Sequence, residues 1–329
     1  MQSEHLEWHA ATVRRHRDLS PTVCEIELQP DDGVRPWRVG SHLNVQVRLA
    51  AGTETRSYSL VGLPHDPDAR AVYRIAVKRM QPSRGGSRHL WSLAPGDALR
   101  VGTPSNHFEM PLDATQYLLV AGGIGITPLV GMALQLAQRG ADLRMRYAAR
   151  SDDELVFADV LRSALGARLQ TFADSAGARL DLDAEIGALH PKALLLACGP
   201  VPLLDALSAA WARAGRSPVD LRFETFGNSG AQANEAFRVR LPRHGLELEV
   251  PADRSLLDVL NSAGVATLSD CGRGECGLCA LDVVSVQGRI DHRDVFFSAA
   301  EKRTNRRLCA CVSRVVGGAL VLDSAYRPD

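Results

Sequence analysis

Cys271-Gly272-Arg273-Gly274-Glu275-Cys276-Gly277-Leu278-Cys279 is the stretch on which the reading of this chain turns. Three cysteines stand at C-x4-C-x2-C spacing with glycines between them, and Cys309 and Cys311 follow further on. With this spacing, four thiolates hold a plant-type [2Fe–2S] cluster. Soft thiolate ligands suit iron–sulfur clusters. The loop must wrap its contents closely, and its glycines accept backbone angles that other residues avoid. They also let backbone N–H groups approach sulfur, which helps to set the potential. Zinc, a disulfide pair and plain burial are the other uses of such thiols. Structural zinc favours paired C-x2-C knuckles or Cys/His sets. Here the first gap is four residues and no second knuckle follows. A disulfide framework does not suit a long chain whose start, Met1-Gln-Ser-Glu-His-Leu-Glu7, lacks the form of a secretion signal. An electron carrier needs an electron source, and the rest of the chain should supply it.

At 329 residues the chain has room for two or three domains. Its 45% hydrophobic and 23% charged residues are ordinary for a globular protein. A net charge of zero gives no pull toward nucleic acid or a membrane surface. No apolar run reaches the length of a membrane span. Seven cysteines, five of them clustered late, fit a reducing cytoplasm and a metal centre.

Residues 1–112 read as short strands between turn signals. Val23–Leu28, Leu43–Leu49 and Arg74–Lys78 are strand-like, and Gly33, Gly40, Gly52, Pro64 and Pro95-Gly96-Asp97 punctuate them. This pattern predicts a small antiparallel barrel. Arg56-Ser57-Tyr58-Ser59, at a strand end, offers a guanidinium, a ring and hydroxyls to a planar anionic ligand. Arg84-Gly85-Gly86-Ser87 has the donors of a phosphate nest. Each string is weak alone: the first recurs by chance, and a Gly-Gly pair is usually only a turn.

Residues 113–229 change to alternating strands and helices. The apolar run Gln116–Ala121 leads into Gly122-Gly-Ile-Gly-Ile-Thr127-Pro128, and helical spacing continues from Leu129 to Gln138. Strand, glycine-rich turn and helix point a helix N-terminus at a phosphate. Pro128 fits the first helical turn, and the G-x-G-x-x-G fingerprint is absent. A tight turn without ligand is the plainer reading. Leu143–Tyr147, Arg168–Phe172, Ala193–Ala197 and Leu221–Phe226 read as further strands, with helices at Asp153–Ala164 and Val201–Ala214. A parallel sheet follows, with ligand loops at the strand carboxyl ends. Gly123 and Thr127, Arg150-Ser151 and Cys198-Gly199-Pro200 fall on that edge; for a lone cysteine such as Cys198, burial is the commoner fate. Residues 227–236 read as a flexible linker. Residues 230–329 hold the cysteines, a hairpin around Pro242–Gly245 and a helix Leu256–Ala263 capped by Ser255.

In this order the motifs resemble the phthalate dioxygenase reductase family, over almost the whole chain. Arg56-Ser-Tyr58-Ser59 is similar to its flavin motif, and Arg84-Gly-Gly-Ser87 to its FMN-phosphate loop. Gly122–Pro128 and Cys198-Gly-Pro200 are similar to its nicotinamide-nucleotide motifs. Asp291-His-Arg-Asp294 and Cys311-Val-Ser-Arg314 are also family-like. The resemblance implies an FMN-binding antiparallel β-barrel at 1–112, an NAD-binding α/β domain at 113–229 and a β-grasp ferredoxin domain at 230–329. It implies Cys271, Cys276, Cys279 and Cys311 as cluster ligands, with Cys309 an alternative or a spare thiol. It places Ser59 near the flavin N5 edge, Tyr58 on the ring, and Arg56 and Arg84 at the phosphate and anionic flavin. Ser57, Ala76, Val77, Lys78, Gly85, Gly86 and Ser87 belong to the same cofactor-binding set. Gly123, Thr127, Arg150, Ser151, Cys198, Gly199 and Pro200 would hold the nicotinamide nucleotide. Phe226 sits where the family sets an aromatic residue against the flavin. Ser59, Cys198 and Phe226 are the expected catalytic set.

The implied function is the NADH-dependent reductase component of a two-component Rieske non-haem iron oxygenase. Electrons would run from NADH through FMN and a [2Fe–2S] cluster, at about −400 mV in plant-type ferredoxins. Arg150-Ser151 leave NADPH open, since an arginine near the ribose is how such sites accept it. No 2-His-1-carboxylate set is present, so the substrate is expected to be oxidised on the partner. A monomer in the cytoplasm is expected. The competing reading is a stand-alone NAD(P)H flavin or acceptor reductase with no dedicated oxygenase; a metal-binding sensor with neither flavin nor NADH chemistry is a third.

Overall fold

A computed structural model describes residues 7–49, 52–80, 85–177, 179–226 and 234–323. Arg84, and residues 227–233 of the expected linker, lie outside them. The described residues fall into two compact units. One runs to Gly199 and takes in Leu207–Arg222; the other comprises Pro200–Ala206 and the chain from Phe223 onward.

The first unit opens with β1 (Trp8–Ser20), β2 (Val23–Pro30), β3 (Ser41–Leu49), β4 (Gly52–Ser59), β5 (Tyr73–Lys78), β6 (Ala98–Gly102) and β7 (Ser105–Asn106). Helix α1 (Gly86–Trp91) lies between β5 and β6. The sheet order is β4-β3-β6-β1-β2-β5, with β7 beside β3 and every pair antiparallel. Its two ends meet at an antiparallel bridge between Leu60 and Ile75, which closes the barrel. Period-two patterning puts Leu43, Val45 and Val47 of β3 inside with Ile26, Leu28 and Ile75.

The second sheet is built from β8 (Gln116–Gly122), β9 (Leu143–Ala149), β10 (Leu169–Ala173), β11 (Ala193–Cys198) and β12 (Leu221–Glu224), in the order β10-β9-β8-β11-β12. Strands β8 and β11 are buried along their whole length, as near-continuous apolar runs in a parallel sheet should be. Helices α2 (Ile126–Gln138), α3 (Ala158–Leu165), α4 (Leu182–Gly187) and α5 (Val201–Arg213) alternate with the strands. Pro128 does sit in the first turn of α2. The helix expected at 153–164 starts late. Asp152–Glu154 forms a 3-10 turn, and Phe157 is left-handed at φ 65°, which breaks the helix before Ala158. Barrel and sheet share one core, in which Val39, Val61 and Phe108 pack with Leu119, Leu129 and Met132.

The third sheet has β13 (Phe237–Leu241), β14 (Leu246–Val250), β15 (Ala280–Asp291), β16 (Arg307–Cys309) and β17 (Arg314–Asp323), ordered β14-β13-β17-β15-β16. β13 and β14 form the expected hairpin; β13 and β17 run parallel. Helix α6 (Leu256–Ser262) packs four apolar side chains on this sheet. Ser255 and Asp258 form a complete capping box on it, and Ser298 with Glu301 does the same for α7 (Ala299–Thr304). This is a β-grasp ferredoxin fold, and the first unit holds a flavin-type barrel and a nucleotide-type sheet. Among the described residues, no helix is long and apolar enough to cross a membrane.

Candidate functional site: cofactor edge and cluster loop

On β4 the side chains alternate. Arg56 and Tyr58 are partly covered, Ser57 is exposed and Ser59 is buried. A side chain added at Gly86 would start 3.0 Å from Cγ and Nε of Arg56, so the guanidinium stem lies directly on the turn that opens α1. Arg56 Nη2 pairs with Glu54 at 2.6 Å, and Nη1 donates to the Thr55 carbonyl. Ser57 Oγ donates to Asn44 Oδ1 at 2.5 Å. Burial pushes the Tyr58 phenol up to about 12, against the pull of Arg56, so it stays neutral. Ser87 Oγ accepts from the Met80 N–H at 3.4 Å, and Gly85 has a left-handed φ of 94°. Ala76 and Val77 are buried in β5, and the Val77 carbonyl accepts from the Trp91 indole. Lys78 reaches Glu154 at 2.9 Å and ties the barrel to the nucleotide sheet. Its Nζ also stands 3.9 Å from where a side chain on Gly123 would begin.

The carboxyl edge of the second sheet is tightest at Gly125. A Cβ there would fall 2.2 Å from the Cys198 carbonyl oxygen and 2.8 Å from the Gly199 nitrogen. Only a bare backbone permits that approach, and it joins the turn after β8 to the end of β11, where Cys198 pairs with Ala121. Thr127 is buried and donates from Oγ1 to the Ile124 carbonyl at 3.0 Å. Cys198 is fully buried, Gly199 partly so, and Pro200 is exposed just before α5. Arg150 is exposed and Ser151 partly covered, beyond the end of β9. Their backbone is held by the Ser175 N–H donating to the Arg150 carbonyl.

In the second unit the cysteine loop gathers its thiols. Cys271 Sγ accepts from the N–H groups of Arg273, Glu275 and Cys276, each at 3.4 Å. Cys279 and Cys311 stand 3.2 Å apart, sulfur to sulfur. Hydrogen bonds from Cys309 and then Cys311 draw Cys279 down to about 3, against its burial. Cys309 and Cys311 are correspondingly raised, each first by its bond to Cys279 and then by burial. The two candidates differ in setting. Cys309 ends β16, fully buried in the apolar core, whereas Cys311 lies past the strand, partly exposed, and feels the charge of Cys271 as well. Strand β16 stops at Cys309, because Val312 and Ser313 turn back to donate to its carbonyl.

Gly277 has φ 73°, and a side chain there would strike the Phe296 ring at 2.3 Å; one on Gly274 would meet Asp294 and Val312. The fully buried Asp294 accepts from the Phe297 N–H at 2.9 Å and from Ser313. Sequence reasoning missed a charge cluster below this loop. Arg273 Nη1 meets Glu224 at 2.5 Å and Nη2 meets Glu275 at 3.4 Å. Thr225 donates through its N–H to Glu275 and through Oγ1 to the Arg273 carbonyl. Burial lifts Glu275 to about 7 despite Arg273. Phe226 follows directly and is 38% exposed.

Among the described residues, no three His, Cys, Asp or Glu side chains are grouped as one metal ion would need. Cys279 instead meets Cys311 at 3.2 Å and is bonded by Cys309 as well, while the Cys276 N–H donates to Cys271 Sγ. Soft donors gathered at a glycine-rich loop fit a two-iron cluster. On the first unit, the Arg56–Gly86 contact sets a guanidinium on a glycine turn and the Gly125–Cys198 approach brings two backbone segments together, features that suit a flavin phosphate and a nucleotide.

Comparisons with known proteins agree with this arrangement. Residues 239–316 match the 2Fe-2S iron-sulfur cluster binding domain. The chain is 38% identical to the heme-dependent oxidative N-demethylase beta subunit of Ectopseudomonas mendocina, over 93% of this chain and 96% of that protein. A solved phthalate dioxygenase reductase, described as a modular structure for electron transfer from pyridine nucleotides to [2Fe-2S], superposes with a TM-score of 0.74. It is 33% identical, covering 96% of this chain and 98% of that one. An intact type IV self-sufficient cytochrome P450 monooxygenase is similar at a TM-score of 0.66 and 34% identity. That match covers 96% of this chain, which spans 41% of the larger protein.

Proposed function

The chain belongs to the phthalate dioxygenase reductase family, and on that premise we propose that it carries electrons to a Rieske-type non-haem iron oxygenase on a separate protein. It is an NADH-dependent iron–sulfur flavoprotein oxidoreductase of an oxygenase system, with FMN and a [2Fe–2S] cluster as cofactors. The observation that carries the proposal is the gathering of backbone N–H groups on Cys271 Sγ and the 3.2 Å approach of Cys279 and Cys311, beside a loop in which Gly274 and Gly277 leave no room for side chains.

When bound, the flavin accepts the two electrons of a hydride and releases them singly to the one-electron cluster, chemistry that is the cofactors' own. The chain supplies position and charge. Arg56 presents its guanidinium beside the Gly85-Gly86 turn to the flavin phosphate, with Ser87 alongside and Arg84 preceding. Tyr58, held neutral by burial, and Ser59 would hold the flavin ring. Ser57, Ala76, Val77 and Lys78 complete that wall. Gly123, Thr127 and the Cys198-Gly199-Pro200 turn would hold the nicotinamide half, Arg150 and Ser151 the ribose end, and Phe226 would serve as the aromatic partner of the flavin. Cys311 rather than Cys309 is the fourth ligand of this reading, because it lies past β16, partly exposed and 3.2 Å from the Cys279 sulfur, whereas Cys309 is enclosed in the apolar core. The functional divisions are 1–112, 113–229 and 230–329, and the protein acts as a cytoplasmic monomer.

A haem-containing acceptor is the second reading, favoured by the similarity to a subunit of a heme-dependent demethylase and to part of a P450. Anaerobic mixing of NADH-reduced protein with a purified Rieske oxygenase component, and separately with a haem-dependent demethylase, decides between them. The proposal expects rapid bleaching of the Rieske bands. Reduction of the haem alone would overturn it. In a Cys276→Ser variant, dye reduction by NADH should persist while delivery to the oxygenase is lost. Retained delivery would show that the cluster is not on the electron path and overturn the proposal.

A further inference from the structure

The charges beneath the cluster loop have no role in the account so far. Arg273 is 8% exposed and Glu224 is fully buried, yet guanidinium and carboxyl group meet at 2.5 Å. Glu275 closes the other side of the guanidinium at 3.4 Å. Buried ions are costly unless paired, and replacing such pairs with apolar residues is often neutral or stabilising. Stability alone therefore explains this clasp poorly. Its place in the fold is more informative. The Arg273 backbone N–H points at Cys271 Sγ, and Glu275 and Cys276 donate to the same sulfur. Thr225 grips the loop at two points, the Arg273 carbonyl and the Glu275 carboxylate. The next residue is the half-exposed Phe226.

We propose that Arg273, clasped by Glu224 and Glu275, is a positioning residue that fixes the Cys271 side of the cluster and sets the energy of the electron that arrives there. The inference rests on the cluster assignment above. One electron enters and no bond forms or breaks. A reduced cluster carries one more negative charge, so a buried cation beside a ligand favours reduction and a buried carboxylate opposes it. Hydrogen bonds to sulfur and local charge are recognised determinants of cluster potential.

The test is the cluster midpoint potential of the intact protein, measured by EPR-monitored titration, with the flavin potential as internal reference. Arg273→Met should lower the equilibrium constant for cluster reduction at least tenfold, which is about 59 mV for one electron. Arg273→Lys should recover most of the loss. Glu224→Gln should move the potential the other way. Loosening of the loop without electrostatic tuning predicts shifts of one sign in all three, and that result overturns the proposal. If Arg273→Met does not retain iron, Glu224→Gln, which keeps side-chain polarity and size, decides the matter: an unchanged potential overturns it. Wild-type protein purified without a cluster refutes the functional assignment itself, whereas a loaded wild type with insensitive variants refutes only this inference.

Discussion

Replacing Gly125 by alanine is the sharpest steric test of the nucleotide edge. Gly125 has ordinary right-handed angles, φ −61° and ψ −5°, so alanine suffers no backbone strain there. The obstacle is space alone. The new methyl would lie 2.2 Å from the Cys198 carbonyl oxygen and 2.5 Å from its carbon, roughly 1 Å inside ordinary contact. These are backbone atoms of the fully buried end of β11, and they cannot swing away as a flexible side chain would. Overpacking of this kind costs about 1–3 kcal/mol. In a unit of about two hundred residues, each kcal/mol lowers Tm by about 2–4 °C, so a fall of about 2–12 °C is expected. The turn and the Cys198 loop must also part, which should raise KM for NADH about tenfold, equivalent to about 1.4 kcal/mol. Gly187→Ala at the end of α4 is the control: nothing lies within 4 Å and φ is not positive, so Tm should hold or rise slightly. Differential scanning calorimetry and steady-state dye reduction read the two quantities. A Gly125→Ala protein melting within about 1 °C of wild type with unchanged KM would refute the close approach and the binding role built on it.

Three further outcomes follow from the second unit and the barrel. Cys311→Ser should lose cluster iron, while Cys309→Ser should keep it and lose about 1–3 kcal/mol for an ill-matched buried hydroxyl; iron analysis and the visible spectrum distinguish them. Asp294 is raised by burial, but His292 at 3.7 Å, the Phe297 N–H and Lys302 outweigh that and leave it lowered. Its folded value lies below its unfolded one. Its stabilisation is therefore complete above the usual carboxylate range and is lost as pH falls through the folded value. Asp294→Asn should flatten the acid limb of stability against pH in urea titrations; an unchanged slope would show that the carboxylate is not the titrating group. Cys24, fully buried and pushed up to about 12 by that burial and then by Asp18, should resist alkylation at pH 8 until the protein unfolds, as peptide mapping would reveal.

Legibility of the sequence followed the range of the interactions. The cysteine spacing, the turn after β8 and the Ser255 cap are local, so their residue types and intervals carry them. The Ser298–Glu301 box of α7 was equally local and could have been read the same way. Helix α3 was placed too early because its composition suits a helix and nothing nearby betrays the left-handed Phe157. Cys309 and Cys311 could not be separated by spacing alone. The difference comes from where β16 ends and from the apolar core that encloses Cys309. The Arg273 clasp was out of reach: Glu224 lies in a strand and Arg273 in a loop 49 residues later, and only the folded chain brings them together. The partner of Lys78, Glu154, is 76 residues away and was missed for the same reason.

One chain runs electrons from NADH through FMN to a [2Fe–2S] cluster. Anaerobic titration with NADH, followed by visible and EPR spectroscopy with flavin and iron quantified, tests it most directly. One FMN and two irons per chain, bleaching of both sets of bands, and a rhombic EPR signal from the reduced cluster are expected. Cluster bands that persist unbleached beside excess NADH, or protein loaded with iron but no flavin, would contradict it.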